Sequence, residues 1–380
     1  MNPRTRALLA VGVTVVLFLG VQLGALALVD PFQEAGHQAV DDPDDPANSL
    51  VYFAIILAAT ALMLVTFKYD VEWLIKAMII GVSMMLAWFV FAELAPPTIT
   101  VGSVNVIAAL GAVAFGAALL FYPEWYVIDI AGVVMGAGAA ALFGISFGLL
   151  PAILLLTVLA VYDAISVYQT EHMLDLADGV MDLKIPVILV IPTSLSFSYL
   201  ESGSTDDVLD DSNNTENERD GSTDASPRSD TTESTPDAVA NGGPAEAATG
   251  ATETTAEAGS NADSSPGDVE SEPDADESVA DALERDALFI GLGDAVIPTI
   301  LVASAAYFLD VGTIDVPGIA LNLPALGALL GTIAGLLVLM HMVLKGRAHA
   351  GLPLLNGGAI GGYLLGAIAS GLSLTAALGF

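Results

Sequence analysis

The chain has 380 residues, 54% of them hydrophobic, and a mean hydropathy of +0.69. Its net charge of −34, from 44 acidic and 10 basic residues, argues against nucleic-acid binding and against attachment to anionic lipid through a basic surface. There are no cysteines, which excludes disulfides, thiolate catalysis and cysteine-bound metals. Most apolar residues fall in runs of about 20, the length that spans about 30 Å of hydrocarbon. The sequence therefore predicts an all-α polytopic membrane protein.

The first apolar run, 7–29, follows Arg4 and Arg6. A cleaved signal peptide is the alternative, but the hydrophobic part of a signal peptide is usually only about 7–15 residues. We therefore expect a retained span with the N-terminus in the cytoplasm, because basic residues flank the cytoplasmic ends of spans. Spans two to six are predicted at about 50–67, 74–95, 100–121, 127–149 and 151–169.

After span six, the stretch 184–192 is apolar but short, and two prolines interrupt it. It predicts an interfacial segment or a short strand near the site, not a span. Residues 201–286 are rich in Ser, Thr, Asp, Glu, Gly, Ala and Pro. Such a composition cannot bury enough apolar surface to fold, so a disordered acidic cytoplasmic loop is predicted. The loop divides the chain into a six-helix membrane bundle at 1–200 and a three-helix bundle at 287–380.

The C-terminal bundle holds predicted spans seven to nine, at about 287–309, 318–344 and 350–378. With a cytoplasmic N-terminus, nine spans of the cell membrane place the C-terminus on the extracellular side. The acidic excess favours a halophilic protein, because at 1 M salt the screening length falls to about 3 Å and surface charges repel little. The alternative is that the loop alone skews the total, since it holds 25 of the 44 acidic residues.

Two aspartates stand inside predicted spans, Asp163 in span six and Asp294 in span seven, 131 positions apart. An ionised aspartate at the bilayer centre costs roughly 2.5–3.5 kcal/mol, and such residues usually mark functional sites. Neither span contains a Lys or Arg to pair with its aspartate. Counting the spans from a cytoplasmic N-terminus puts both carboxylates in the cytoplasmic half of the membrane.

Two adjacent carboxylates cannot both ionise, so such a pair shares one proton. One carboxylate then activates water as a general base while the other protonates the scissile carbonyl. This chemistry hydrolyses peptides without a metal or a cofactor, and none is expected, since the four histidines form no ligand motif. The alternatives are an ion or proton path, or two carboxylates that each bind a neighbouring backbone or hydroxyl group.

The surrounding motifs, Tyr162-Asp163 and Gly291-Leu292-Gly293-Asp294, resemble those of the presenilin and signal-peptide-peptidase family of intramembrane aspartyl proteases. The family's third motif is Pro-Ala-Leu, usually followed by Pro. Here the corresponding place reads Ala350-Gly351-Leu352-Pro353, which keeps the last two residues and departs at the first two. The resemblance implies a presenilin-like fold with catalytic Asp163 and Asp294. It implies substrate contacts at Tyr162, Gly291, Leu292, Gly293, Gly351, Leu352 and Pro353.

The activity that the resemblance implies is an aspartic endopeptidase that cuts transmembrane helices of membrane-protein substrates within the lipid bilayer. In the family, an extended substrate segment adds as a strand near the sixth and seventh helices, and 187–191 is the candidate strand of the enzyme. One rival is a proton- or cation-coupled secondary transporter, but no inverted repeat between the two bundles supports it. A non-enzymatic scaffold would leave the matched depth of the acids unexplained. The sequence does not indicate which oligomeric state the protein has.

Overall fold

The computed structural model describes residues 3–69, 72–96, 98–102, 104–169, 187–192, 287–345 and 350–379. The apolar runs of the sequence form the helices of this structure. In chain order the helices are α1 Pro3–Glu34, α2 Ala47–Lys68, α3 Glu72–Leu94, α4 Val106–Phe121, α5 Trp125–Ser146, α6 Leu149–Gln169, α7 Leu292–Phe308, α8 Leu323–Val343, α9 Gly351–Ala369 and α10 Leu374–Ala377.

Within these described residues, six helices are long and apolar enough to cross a membrane, namely α1, α3, α5, α6, α8 and α9. Three shorter apolar helical segments lie in α2, α4 and α7. Each of the nine segments overlaps one of the nine predicted spans. The mostly helical, multi-pass character of the protein is therefore confirmed, while the number of helices that cross the membrane stays a prediction.

Glycine allows helices α8 and α9 to pack backbone on backbone. A side chain at Gly331 would collide with the carbonyl group of Gly358, and one at Gly362 would collide with that of Gly327. Small residues at such positions let helices approach closely in a membrane, where packing and not hydrophobicity drives association. The start of α9 also lies beside the start of α7, where a Cβ atom added to Gly351 would be 3.3 Å from Oδ2 of Asp294.

The fold is mostly helical and not all-α, because two short antiparallel sheets accompany the helices. Strands β1 (Thr100–Val101) and β2 (Val104–Asn105) precede α4, so span four begins later than expected. Strand β3 (Ile188–Pro192) pairs with β4 (Ala287–Gly291) in a register that runs from Ile188 opposite Gly291 to Pro192 opposite Ala287. The strand expected near 187–191 is thus present, whereas the expectation that span seven is helical from residue 287 is wrong.

Helices from both sides of the predicted loop contribute to one core. Leu156 of α6, Leu301 of α7, Ala328 of α8 and Tyr363 of α9 are all completely buried in the same apolar cluster. Helix α7 packs against α1, α5, α6, α8 and α9. The acidic loop at 201–286 lies outside the described residues, so its disorder and the division into bundles 1–200 and 287–380 stay predictions.

Candidate active site

Asp163 lies near the C-terminal end of α6 and is buried, with 8% of its surface exposed. Its Oδ2 accepts a hydrogen bond of 3.0 Å from the backbone N–H of Leu352. Leu352 is in the first turn of α9, where the N–H groups have no partner inside the helix and point outward along its axis. The carboxylate of α6 therefore occupies the N-terminal end of α9, which favours negative charge.

Asp294 lies in the first turn of α7, directly after β4. Gly291, the last residue of β4, has extended backbone angles (φ −60°, ψ 132°) and precedes the helix. The N–H of Leu292 bonds the carbonyl oxygen of Val187 at 2.7 Å and so ties the helix start to the neighbouring strand. The first part of predicted span seven is strand, so the helix begins only at Leu292. Asp294 sits at the junction of strand and helix.

The start of α9 brings the two acids into one place. A Cβ atom added to Gly351 would lie 3.3 Å from Oδ2 of Asp294, while the next residue, Leu352, donates its N–H to Asp163. Through this chain of contacts the two carboxylates lie within about 10 Å of each other. Residues that are 131 positions apart in sequence thus face the same dipeptide of α9.

The predicted substrate contacts at Tyr162, Gly291, Leu292 and Gly293 have different surroundings. Gly291 and Gly293 are exposed, and a side chain at Gly291 would reach to 3.7 Å from Oδ2 of Asp294. Leu292 instead turns inward, is 6% exposed and packs against α5. Tyr162 packs its ring edge to face on Phe53 of α2, with 5.9 Å between the ring centroids. No hydrogen bond joins Tyr162 to either carboxylate in the described part of the chain.

In the third motif, backbone and side chains have different surroundings. The N–H of Leu352 faces Asp163, but its side chain packs on the apolar cluster shared by α6 and α7. Gly351 lies beside Asp294. Pro353 is half-buried in the first turn of α9, where a missing N–H costs no helical hydrogen bond.

One turn beyond Leu352, α9 carries a buried polar residue that belongs to none of the three motifs. Asn356 is completely buried on α9, four residues after Leu352, and its Nδ2 donates to the carbonyl oxygen of Leu156 on α6 at 2.9 Å. The two helices are therefore joined by two polar contacts on one face. A buried amide inside an apolar span was the available signal, because such groups need a partner. Among the described residues, no group of His, Asp and Glu is arranged to hold a metal ion.

Comparison with known proteins identifies the family. The model of the signal-peptide peptidase and presenilin aspartyl protease family matches residues 15–218 and 258–372. The chain belongs to this family. None of the curated proteins matches the sequence significantly.

Two solved structures of a presenilin family intramembrane aspartate protease resemble the whole fold. The one in space group C222 is 28% identical, has a TM-score of 0.55, and the match covers 94% of this chain and 99% of the other. The one in space group P2 is 29% identical, with a TM-score of 0.52 and coverage of 93% and 96%. The protein is therefore a presenilin-family aspartic peptidase of the intramembrane class, and its substrates are membrane proteins in the bilayer.

Proposed function

We propose that Asp163 and Asp294 form the catalytic dyad of an endopeptidase that hydrolyses peptide bonds within transmembrane helices. The observation that carries the proposal is the shared position of the acids at the start of α9. Asp163 accepts the N–H of Leu352 at 3.0 Å, and Asp294 lies against Gly351, the residue before it. Two carboxylates held on one dipeptide form a compact site for a single water molecule.

In the proposed reaction, the N–H of Leu352 occupies Oδ2 of Asp163 and leaves its other oxygen for the water. One carboxylate removes a proton from that water as it attacks the scissile carbonyl carbon. The other carboxylic acid donates its proton to the carbonyl oxygen. Collapse of the tetrahedral intermediate then breaks the C–N bond: the departing amine takes up the proton that the first carboxylate removed from the water, and the second carboxylate takes a proton back from a hydroxyl group of the intermediate. The reaction consumes one water and forms no covalent enzyme intermediate.

A transmembrane helix hides its carbonyl groups in its own hydrogen bonds, so the substrate must unwind before water can attack. An extended segment that adds to the β3–β4 sheet would have its backbone groups satisfied there. The end of β4 supports this route, because it runs directly into Asp294 through Gly291 and Gly293, two exposed residues without side chains. A substrate backbone can approach Asp294 closely at these glycines.

The proposed arrangement in the cell membrane has nine spans, with the N-terminus in the cytoplasm and the C-terminus outside. The six long apolar helices and three shorter apolar segments of the described chain support this number. With that orientation, the C-terminal end of α6 and the N-terminal end of α7 both lie towards the cytoplasm. The dyad therefore cuts substrates in the cytoplasmic half of the bilayer.

The test is cleavage of a single-span reporter protein by the purified enzyme in detergent, with products identified by mass spectrometry. Asp163→Asn and Asp294→Asn should each abolish cleavage, while the thermal unfolding temperature stays the same or rises because a membrane carboxylate is removed. Asp310→Asn is the matched control, since Asp310 is exposed just after α7 and away from the site. Retained cleavage in either dyad variant contradicts the assignment. Proton- or cation-coupled flux in vesicles without proteolysis would favour the transporter.

A further inference from the structure

Another buried carboxylate, outside the proposed dyad, lies in α5. Asp129, in the second turn of α5, is 4% exposed, and its Oδ1 accepts the backbone N–H of Val190 on β3 at 2.7 Å. From sequence alone, its position at a span end predicts an interfacial residue that bonds a nearby group. The observed partner is instead a strand 61 residues further along the chain. A buried N–H inside a membrane protein needs such an acceptor.

The bond to Asp129 does not belong to the pairing of the two strands. Hydrogen-bonded residues alternate along an antiparallel pair. The N–H of Leu292 donates to the carbonyl oxygen of Val187, so Val187 belongs to a hydrogen-bonded pair. By alternation, the backbone N–H and C=O groups of Leu189 and Ile191 also point towards β4. Val190 therefore points its N–H away from β4. The Asp129 carboxylate connects the sheet to α5 without taking a bond from the β3–β4 ladder.

The same face of α5 holds the sheet and the start of α7 by close packing. A Cβ atom added to Gly132 would lie 2.8 Å from the side chain of Leu189, and one added to Gly136 would lie 3.2 Å from that of Leu292. Asp129, Gly132 and Gly136 lie on successive turns of one helix face. The apolar contacts have no preferred direction, whereas a hydrogen bond defines which residue of β3 sits at which point of α5.

We propose that Asp129 is a positioning residue for proteolysis: by bonding Val190 it fixes the β3–β4 sheet along α5 and so sets where along a substrate the dyad cuts. This inference rests on the proposed function, in which the substrate adds to that sheet. Because β4 leads into Asp294, a shift of the sheet changes which substrate bond meets the dyad. Loss of the bond therefore changes the positions of the cuts as well as the rate.

The experiment uses the full-length enzyme and a single-span reporter, with cleavage positions read by mass spectrometry. Asp129→Leu should produce additional cut positions and lower kcat/KM by about tenfold to a hundredfold, the cost of small misplacements at an active site. Asp129→Asn keeps an oxygen acceptor and should retain the wild-type cut positions. Ser304→Ala is the matched control, because it removes another buried bond, from Ser304 Oγ to the carbonyl oxygen of Phe147 at 2.8 Å, away from the sheet. It should lower thermal stability without adding cuts.

A second variant separates positioning from stability. Asp129→Leu leaves the Val190 N–H buried without its acceptor, whereas Asp129→Leu combined with Val190→Pro removes both partners, which is less costly to folding. Proline is tolerated at a strand position whose N–H does not pair with the neighbouring strand. The double variant should regain thermal stability but still cut at several positions. Wild-type cut positions and unchanged kcat/KM in both variants overturn the inference. A wild-type enzyme that cuts no helix substrate overturns the proposed function as well.

Discussion

Leu352 donates its backbone N–H to Oδ2 of Asp163 at 3.0 Å, across 189 residues of sequence. The contact joins the C-terminal end of α6 to the first turn of α9. Its donor is a backbone group, so the bond depends on where α9 begins and not on the side chain at position 352. The residue just before it, Gly351, lies against the second acid, Asp294. The first two residues of α9 thus carry the geometry of the site.

Gly351→Ala should impair catalysis without unfolding the protein. The new Cβ would lie 3.3 Å from Oδ2 of Asp294, closer than an ordinary contact, so the carboxylate must move by a few tenths of an ångström. Displacements of this kind lower kcat by about tenfold or more when reacting groups are already aligned. Rates on a reporter helix and thermal unfolding curves measure the two effects. Gly361→Ala on the same helix is the control, because nothing lies within 4 Å of its added atom. Equal rates for the two variants would contradict the role of Gly351.

Gly291→Leu should weaken substrate binding and leave the fold intact. Gly291 is exposed, and its backbone angles (φ −60°, ψ 132°) are open to any residue, so folding does not require glycine there. Its absent side chain matters only if a substrate backbone approaches Asp294 at this point. We expect a raised KM for a helix substrate and an unchanged unfolding temperature. Gly12→Leu on α1, where nothing lies within 4 Å, is the control. An unchanged KM would show that the substrate does not bind along the end of β4.

Asn356→Leu should lower both stability and turnover. The variant removes the bond from Nδ2 to the carbonyl oxygen of Leu156, one of two polar contacts between α9 and α6. Side-chain hydrogen bonds in membrane proteins contribute about 0.6 kcal/mol on average and up to about 1.7 kcal/mol. A lower unfolding temperature is expected, with turnover per folded molecule reduced because α9 is less firmly placed on α6. Ser370→Ala is the control, because it removes the bond from Ser370 Oγ to the carbonyl oxygen of Ala367 at 2.8 Å, just beyond the end of α9, and should leave turnover per folded molecule unchanged. Full turnover per folded molecule in Asn356→Leu would show that Asn356 contributes to stability only.

The two acids could be predicted from sequence because a carboxylate is conspicuous inside an apolar run, and the spacing of the runs indicates their depth. The strand β4 could not. Residues 287–309 form one apolar run, and hydropathy does not separate a short buried strand from the first turns of a helix. The partners of Asp163 and Asp129 are backbone N–H groups, which every residue but proline carries. Only the fold identifies Leu352 and Val190 as the donors.

Leu352→Trp tests the side chain where the backbone contact is retained. The N–H to Asp163 remains, but the larger ring must fit where Leu352 packs on the cluster of α6 and α7. Overpacked cores usually lose about 1–3 kcal/mol. A strong fall in the unfolding temperature with normal turnover per folded molecule would assign the side chain to the core. Lost cleavage with little change in unfolding would assign it to the substrate site, as the third motif implies.

Deletion of residues 205–280 should leave folding and proteolysis largely intact. The segment has no apolar pattern to pack, and the entropy of closing a flexible connection changes only slowly with its length. It also holds most of the acidic residues of 201–286. The deletion therefore tests the halophilic interpretation too. If the loop alone accounts for the charge, the shortened enzyme should depend less on molar KCl than the full-length enzyme does.

We would measure cleavage of the reporter helix by the full-length and the shortened enzyme, and the thermal unfolding of each, at low salt and in molar KCl. Like charges on the remaining surface repel less when the screening length shortens to about 3 Å, so a protein adapted to salt gains stability at high KCl with or without the loop. An equal gain in both proteins would place the adaptation outside the loop. A shortened protein that purifies as one monodisperse species yet cuts nothing would contradict the prediction and assign the loop a part in catalysis.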